Sequence, residues 1–240
     1  MSAGAARGPF RPLPPEHLRA GADVVAERLL GAYLVRGLED GTQMAVRLVE
    51  IEAYLGALDP GSHAYRGMTA RNRVMFGEAG RAYVYFTYGS HFMLNIVTGE
   101  VGSAAAVLLR GAEPVLGLEA LVRMRRRGRR AAPPPPGLDG TETDPRLVRW
   151  LLAGPARLAA ALGVDARDYG LPMLGAPVWP PPPGRVFRLA HGLPPPPGAV
   201  RVGPRIGLRQ GADLPLRFYL EASAGVSRTP PEPPSPLAGA

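Results

Sequence analysis

Residues 47–54, RLVEIEAY, alternate apolar and polar side chains as a half-buried strand does. One face of this strand carries Glu50, Glu52 and Tyr54. The two carboxylates lie about 6–7 Å apart along the chain, where like charges repel. Either this face is solvated, or one carboxylate has a chemical role. Because burial and a like charge both shift a carboxyl group toward neutrality, the second reading predicts a general base.

Other segments extend this strand into an α+β domain. Strand 33–38 precedes it through a turn containing Asp40-Gly41, which predicts a hairpin. Further strands are predicted at 82–97 (a hairpin around Gly89-Ser90), 104–110, 198–209 and 215–222. Helices are predicted at 22–30, 115–127 and 145–163, the last divided at Gly154-Pro155. We expect one domain over residues 16–227, with disordered Pro-rich tails at 1–15 and 228–240.

The composition excludes several classes of protein. The 240 residues contain no cysteine, so disulfides and thiolate metal sites are excluded, and the four histidines are too scattered to predict a metal. No apolar run is long enough to span a membrane and no signal peptide is evident, so we expect a cytoplasmic protein. All 28 basic residues are arginine, so no lysine can form an imine, and the net charge of +8 favours a polyanionic partner.

Aromatic and basic residues are interleaved in the middle of the chain. In the hairpin sequence YVYFTYGS, Tyr83 and Tyr85 share a face, and Tyr88 lies at the tip, where a core is not expected. Such a cluster is either core or a platform for a nucleobase, and the two readings have about equal weight. Arginines surround it in sequence, as in nucleic-acid-binding proteins: Arg66, Arg71, Arg73, Arg81 and Arg110. The run RMRRRGRR at 123–130 is either a solvated helix end or a non-specific phosphate contact.

Several spaced blocks together resemble one family. RLVEIEAYLG, TARNRVMF, AYVYFTYG, AAAVLLRGAEP, GPARLAAAL and PLRFY follow one another as in the 3-methyladenine (alkyladenine) DNA glycosylases of the vertebrate and bacterial type. The resemblance covers about residues 15–228. It implies a single mixed α/β domain with a curved, mainly antiparallel sheet, peripheral helices and a β-hairpin that enters the minor groove of double-stranded DNA. It also implies a monomer, nucleoid-associated when bound to DNA, that needs no cofactor.

The resemblance also implies residue roles. Glu52 would activate the attacking water, with Arg110 and the backbone carbonyl of Val202 also holding that water. The flipped base would lie among Tyr54, His63 and Tyr85, with Asn95 discouraging the exocyclic amine of guanine. Tyr88 would fill the space that the base leaves, and Arg71, Arg73 and His91 would contact DNA. The chain departs from the family in a His63–Thr69 loop one residue shorter than in vertebrate members, and in His91 and Met93.

The implied reaction is removal of alkylated or deaminated purines, such as 3-methyladenine, 7-methylguanine, hypoxanthine and ethenoadenine, to leave an abasic site. Extruding a base costs a few kcal/mol, which a wedge such as Tyr88 would partly offset. Without lysine, the chain is expected to be monofunctional, with no strand cleavage. Two alternatives stay open: a non-catalytic damaged-DNA-binding protein, which would not need Glu52, and a hydrolase of free nucleosides.

Overall fold

The structure, a computed structural model, describes residues 10–87, 89–127, 133–137, 141, 143–176 and 179–227. Its strands are β1 (Tyr33–Gly37), β2 (Gln43–Tyr54), β3 (Ala82–Thr87), β4 (His91–Thr98), β5 (Ala105–Leu116), β6 (Val186–Ala190), β7 (Val200–Gly203) and β8 (Arg217–Leu220). Its α-helices are α1 (Ala22–Arg28), α2 (Leu118–Arg127), α3 (Pro145–Leu152) and α4 (Pro155–Ala161). Short 3₁₀ turns cover Pro15–Leu18, Gly56–Leu58, Arg73–Phe76 and Ala166–Asp168. Within these residues, no helix is long and apolar enough to cross a membrane.

The strands form one curled, eight-stranded sheet in which every described pairing is antiparallel, which confirms the predicted fold class. The path runs β3-β4-β5-β2-β1-β6, and β8, which also pairs with β7, joins β2. Strand β2 is therefore the branch point. Along one edge its first half pairs with β1 and its second half, at Glu50–Glu52, pairs with β8. Its other edge pairs with β5 along nearly its whole length.

The β2–β5 ladder is irregular where the two carboxylates lie. Its register shifts between Leu48 and Glu50 and again between Glu50 and Ile51, and Glu50 lies opposite Gly111. Bulges of this kind bend a strand and redirect its side chains, and they are common next to active sites. The glutamates are thus placed where β5 and β8 both meet β2.

The helices cover the centre of the sheet. Helices α2, α3 and α4 pack on one another, α4 also packs on β4 and β5, and α1 packs on β2. The main core combines side chains of these helices and strands, including Leu48, Ile51, Val107, Leu109, Leu121, Leu151 and Leu158. The break predicted at Gly154-Pro155 is present, because Gly154 has a φ of 120° and Pro155 begins α4.

Three boundaries differ from the sequence expectation. Strand β5 continues to Leu116, so α2 begins only after Gly117, whose φ of 74° ends the strand. Strand β6 was not predicted. Residues 10–15, expected in a disordered tail, pack on β6: Phe10 is buried, Pro12 bridges Ala190, and the Leu13 amide donates to the Leu189 carbonyl. The remaining tail residues, 1–9 and 228–240, lie outside the described residues.

Candidate active site and DNA-binding surface

Glu52 is a fully buried carboxylate that accepts two hydrogen bonds and forms one ion pair. Its Oε1 accepts from the Ile206 amide at 2.7 Å and lies 3.1 Å from Nη1 of Arg110. Its Oε2 accepts from the Tyr54 hydroxyl at 2.9 Å. Because Glu50 and Glu52 are both 0% exposed, the solvated-face interpretation of this strand is excluded.

The donor geometry leaves Glu52 one open acceptor position. Oε1 accepts from the Ile206 amide and is in ion-pair contact with Arg110, whereas Oε2 accepts, within the described residues, only from the Tyr54 hydroxyl, which leaves one of its two lone pairs for another donor. A water molecule that donates a hydrogen bond to Oε2 would complete the set. Glu52 is thus suited to accept a proton from water at the edge of the Tyr54 ring.

Glu50 is held differently. It accepts from Nε of Arg110 at 3.0 Å, Nε of Arg217 at 2.7 Å, and both the amide and the hydroxyl of Ser227 at 2.6 and 2.7 Å. Three of these donors, Nε of Arg110, Nε of Arg217 and the Ser227 hydroxyl, share Oε1, and the Ser227 amide binds Oε2. Arg110 therefore bridges Glu50 and Glu52, and two carboxylates are balanced by the two guanidinium groups of Arg110 and Arg217.

Aromatic side chains form a small pocket next to Glu52. Tyr54, His63, Tyr83, Tyr85 and Asn95 line a cavity of about 60 Å³, room for about two water molecules. The ring centroids of His63 and Tyr85 are 4.6 Å apart at an interplanar angle of 75°, so these rings meet edge to face. The sequence-predicted base-binding residues are thus brought together, and their rings would have to separate to admit a purine.

Burial sets the protonation of the pocket. The pKa of Tyr54 is raised well above 10.0, first by burial and then by the charge of Glu52, so its hydroxyl stays a donor. Burial also raises the pKa of Tyr83, whose hydroxyl lies 2.9 Å from Nδ1 of His63. The pKa of His63 is lowered below 6.5, by burial and then by the charge of Arg71, so its imidazole is neutral at pH 7.

Arg205 and Asp59 support the Tyr54 side of the pocket. The Arg205 guanidinium lies 4.6 Å from the centroid of the Tyr54 ring, and Nη2 contacts Oδ1 of Asp59 at 2.7 Å. Arg205 also donates to the Ala53 carbonyl at 2.9 Å, which ties the 203–211 segment to β2. Arg205 directly precedes Ile206 in the chain. Because the buried ion pair with Asp59 fixes Arg205, it also positions the Ile206 amide that donates to Glu52.

Sequence reasoning placed Tyr83 in the aromatic cluster without assigning it a role, and it missed Ser227, the Arg205–Asp59 pair and Ile206 as parts of this site. Tyr83 shares a strand face with Tyr85, and its carbonyl accepts from Nδ2 of Asn95 at 3.0 Å. That two-residue alternation was the one available signal. The other contacts join distant parts of the chain, for which no local pattern exists.

Val202 is placed apart from Glu52. It is about half exposed on β7, where it pairs with Phe218 of β8. Since β8 separates β7 from β2, Val202 lies two strands, or about 9–10 Å, from the strand of Glu52. From this part of the chain, the Ile206 amide is the backbone group that contacts Glu52, and a contact of the Val202 carbonyl with the water stays a prediction.

The predicted DNA contacts lie around the β3–β4 hairpin. Tyr88 at its tip is outside the described residues. Arg71 is exposed, with its guanidinium 5.0 Å from the centroid of the Tyr85 ring. Arg73 is exposed in the Arg73–Phe76 turn, and His91, partly buried, pairs with Thr87 at the start of β4.

A groove on the other side of this hairpin is strongly basic. Arg125, Arg127 and Arg157 line it together with Phe86 and Phe92, in a cavity of about 570 Å³. Arg125 is 9% exposed, and its Nε has no hydrogen-bond partner within the described residues. These arginines provide a surface for phosphate groups. Among the described residues, no cluster of three or more His, Asp or Glu side chains could hold a metal.

Comparison with known proteins places the chain among DNA repair enzymes. The model of a family described as Methylpurine-DNA glycosylase (MPG) matches residues 16–224. A relative from Chlorobaculum tepidum is 40% identical over 223 residues, covering 90% of this chain and 94% of the relative. Another, from Streptomyces avermitilis, is 45% identical over 204 residues, covering 85% and 84%. Both carry the name "Putative 3-methyladenine DNA glycosylase".

Proposed function

This chain belongs to the methylpurine-DNA glycosylase family, and from that premise we propose that it excises alkylated and deaminated purines from duplex DNA by a water-dependent reaction. It is a DNA glycosylase for methylated purines, as its family and relatives indicate. The proposal adds that the damaged base is flipped into the aromatic pocket, that Glu52 activates the water, and that an abasic site remains.

The buried carboxylate of Glu52 is the observation that carries this proposal. Its open acceptor position on Oε2 lies beside Tyr54, which also lines the base pocket. A base stacked on Tyr54 would bring its glycosidic bond toward that carboxylate. A non-catalytic damage-binding protein would not need a carboxylate with a free acceptor position beside the base pocket.

The reaction balances on these residues. As the bond between C1′ and the base nitrogen breaks, the base keeps the electron pair and the sugar becomes cation-like. Glu52 stabilises that positive charge and accepts a proton from water, whose oxygen bonds to C1′. A methylated purine with a positive charge leaves as a neutral base. Hypoxanthine has no such charge and needs more assistance in leaving.

The absence of lysine bears on the product of the reaction. A bifunctional glycosylase cuts the strand through an imine between an amine and the abasic sugar, and this chain has no lysine. We therefore expect base release without lyase activity. One chain supplies every side chain of the site, so a monomer suffices.

DNA would be held from the minor-groove side by the β3–β4 hairpin, with Tyr88 filling the vacated position. Arg71 and Arg73 line a groove with Tyr85, Phe86 and Phe92 of this hairpin, and Arg125 and Arg157 line a second groove that also includes Phe86 and Phe92. Such a surface would bring the protein to the nucleoid.

The test compares wild type with Glu52→Gln on duplexes that each carry one hypoxanthine, ethenoadenine or 7-methylguanine. Hot alkali converts abasic sites into strand breaks. Breaks that appear only after alkali treatment therefore measure base release without lyase activity. We expect the variant to bind the duplexes and to lose about 10²–10⁴-fold in excision. Glu39→Gln, an exposed residue of the β1–β2 turn, is the matched control. Equal excision by wild type and Glu52→Gln, or binding without excision by wild type, would contradict the proposal.

A further inference from the structure

Arg71 brings a positive charge to the edge of the base pocket. Its guanidinium carbon lies 5.0 Å from the centroid of the Tyr85 ring, and Nη2 donates to the Phe86 carbonyl at 3.2 Å. These contacts hold the charge against a ring that lines the pocket.

The two sides of the pocket differ in charge balance. On the Tyr54 side, Arg205 is fully paired with the buried carboxylate of Asp59, so that guanidinium is neutralised. On the Tyr85 side, Arg71 makes no ion pair with a carboxylate anywhere in the part of the chain that the structure describes. The wall containing Tyr85 and His63 therefore carries an unbalanced positive charge.

The field of Arg71 reaches other groups of the same wall. It contributes, after burial, to the lowered pKa of His63, and it opposes the rise in the pKa of Tyr83 that burial causes. A charge that resists protonation of an imidazole in the pocket also resists a purine that carries a formal positive charge. The Tyr85 ring offers less attraction to such a cation, because a guanidinium already shares its π-electrons.

We propose that Arg71 is a specificity-determining residue that biases the base pocket toward neutral damaged purines, such as hypoxanthine, and away from cationic methylated purines. This inference rests on the proposed function. A cation over an exposed ring contributes about 0.5–1 kcal/mol, which corresponds to a change of about two- to five-fold in relative excision.

The experiment measures single-turnover excision from two duplexes that differ only in the lesion, hypoxanthine or 7-methylguanine. The enzymes are wild type, Arg71→Gln, Arg71→Lys and Arg73→Gln. We expect Arg71→Gln to lower the ratio of hypoxanthine to 7-methylguanine excision by about two- to five-fold. Arg71→Lys, which keeps the charge, should retain most of the wild-type ratio. Arg73→Gln should change both rates by the same factor.

A salt titration of wild type and Arg71→Gln tests the same inference. Salt screens exposed charges, so added salt should shift the wild-type ratio toward 7-methylguanine and leave the ratio of Arg71→Gln unchanged. An unchanged ratio in Arg71→Gln, with both rates lowered equally, would overturn the inference and show that Arg71 acts only on the DNA backbone. No excision of either base by wild type would instead contradict the proposed function.

Discussion

At the scale of single residues, two glutamates on one strand face have different surroundings. Glu50 accepts four hydrogen bonds from Arg110, Arg217 and Ser227, whereas Glu52 accepts two and adjoins the aromatic pocket through Tyr54. Glu50 thus holds Arg110 in place, and Arg110 in turn holds Glu52. The strand pattern alone left open whether this face was solvated or whether one carboxylate had a chemical role. It did not show how Glu50 was occupied, because its partners lie at positions 110, 217 and 227.

His63 supplies a prediction on pH. Its pKa in the folded protein is below the ordinary value of 6.5, because burial and then the Arg71 charge disfavour its protonated form. The folded state therefore binds fewer protons at His63 than the unfolded chain does, and stability falls as the pH drops through 6.5. We expect the melting temperature to fall less in His63→Gln than in wild type between about pH 7.5 and about pH 5.5.

The chain has three other histidines, so the comparison with wild type isolates His63. His17→Gln provides the control for removal of an imidazole far from the pocket, where His17 packs against His191. Equal pH dependence of wild type and His63→Gln would show that His63 is not held neutral by the fold.

At the scale of elements, Gly111 of β5 packs closely against the segment that follows β8. A Cβ at Gly111 would lie 2.2 Å from the Gly225 carbonyl oxygen and 3.1 Å from Cβ of Glu50. Gly111→Ala would push away the segment that ends in Ser227 and so release two donors of Glu50. We expect it to lower the free energy of unfolding, measured by urea titration, by about 1–3 kcal/mol. We also expect it to reduce excision of hypoxanthine from the duplex.

Gly203→Ala is the matched control for this substitution. Gly203 is also a strand glycine, and the nearest atom to its added Cβ is an aromatic carbon of Tyr219 at 3.8 Å, an ordinary contact. Its stability should stay close to that of wild type. If Gly111→Ala were as stable and as active as Gly203→Ala, the packing of residues 223–227 on β5 would not matter for the site.

Local patterns predicted most elements of this fold. Alternation located β2, and turn residues located the β1–β2 and β3–β4 hairpins. These local sequence patterns failed where pairing with another strand decides the structure. Strand β6 is five residues long between Pro- and Gly-rich segments, and it exists because β1 offers it an edge. Helix α2 was predicted to begin too early, at residue 115. In the structure, β5 continues to Leu116, which pairs with Ala45 of β2.

At the scale of the whole molecule, the candidate site joins segments that are far apart in sequence. Residues of β2, β5, the 203–211 segment and the end of the described chain meet at Glu52 and Glu50. The resemblance supplied Glu52, Arg110 and the pocket aromatics in advance. Ile206 and Ser227 had no such signal, because their contacts depend on how β7 and β8 branch from β2.

The charge of the molecule supplies the last prediction. Exposed Arg157 lines the groove of about 570 Å³ on the outer side of the hairpin and also a neighbouring groove of about 700 Å³. Within the described residues it makes no ion pair, and its Nη1 donates only to the Arg149 carbonyl at 2.8 Å. If DNA crosses these grooves, Arg157 neutralises a phosphate.

Arg157→Gln should then weaken DNA binding equally for every lesion and sequence. The slope of log K against log salt concentration should become shallower by about 0.9, the value for one lost phosphate contact. Fluorescence anisotropy on an undamaged and a damaged duplex over a range of salt measures both slopes. Arg123→Gln is the control, because Arg123 is also an exposed helical arginine, on α2, but contacts Thr42 and lies outside both grooves. Equal slopes for wild type and Arg157→Gln would place the DNA away from α4, and a loss confined to damaged duplex would mean that Arg157 acts on the flipped nucleotide instead.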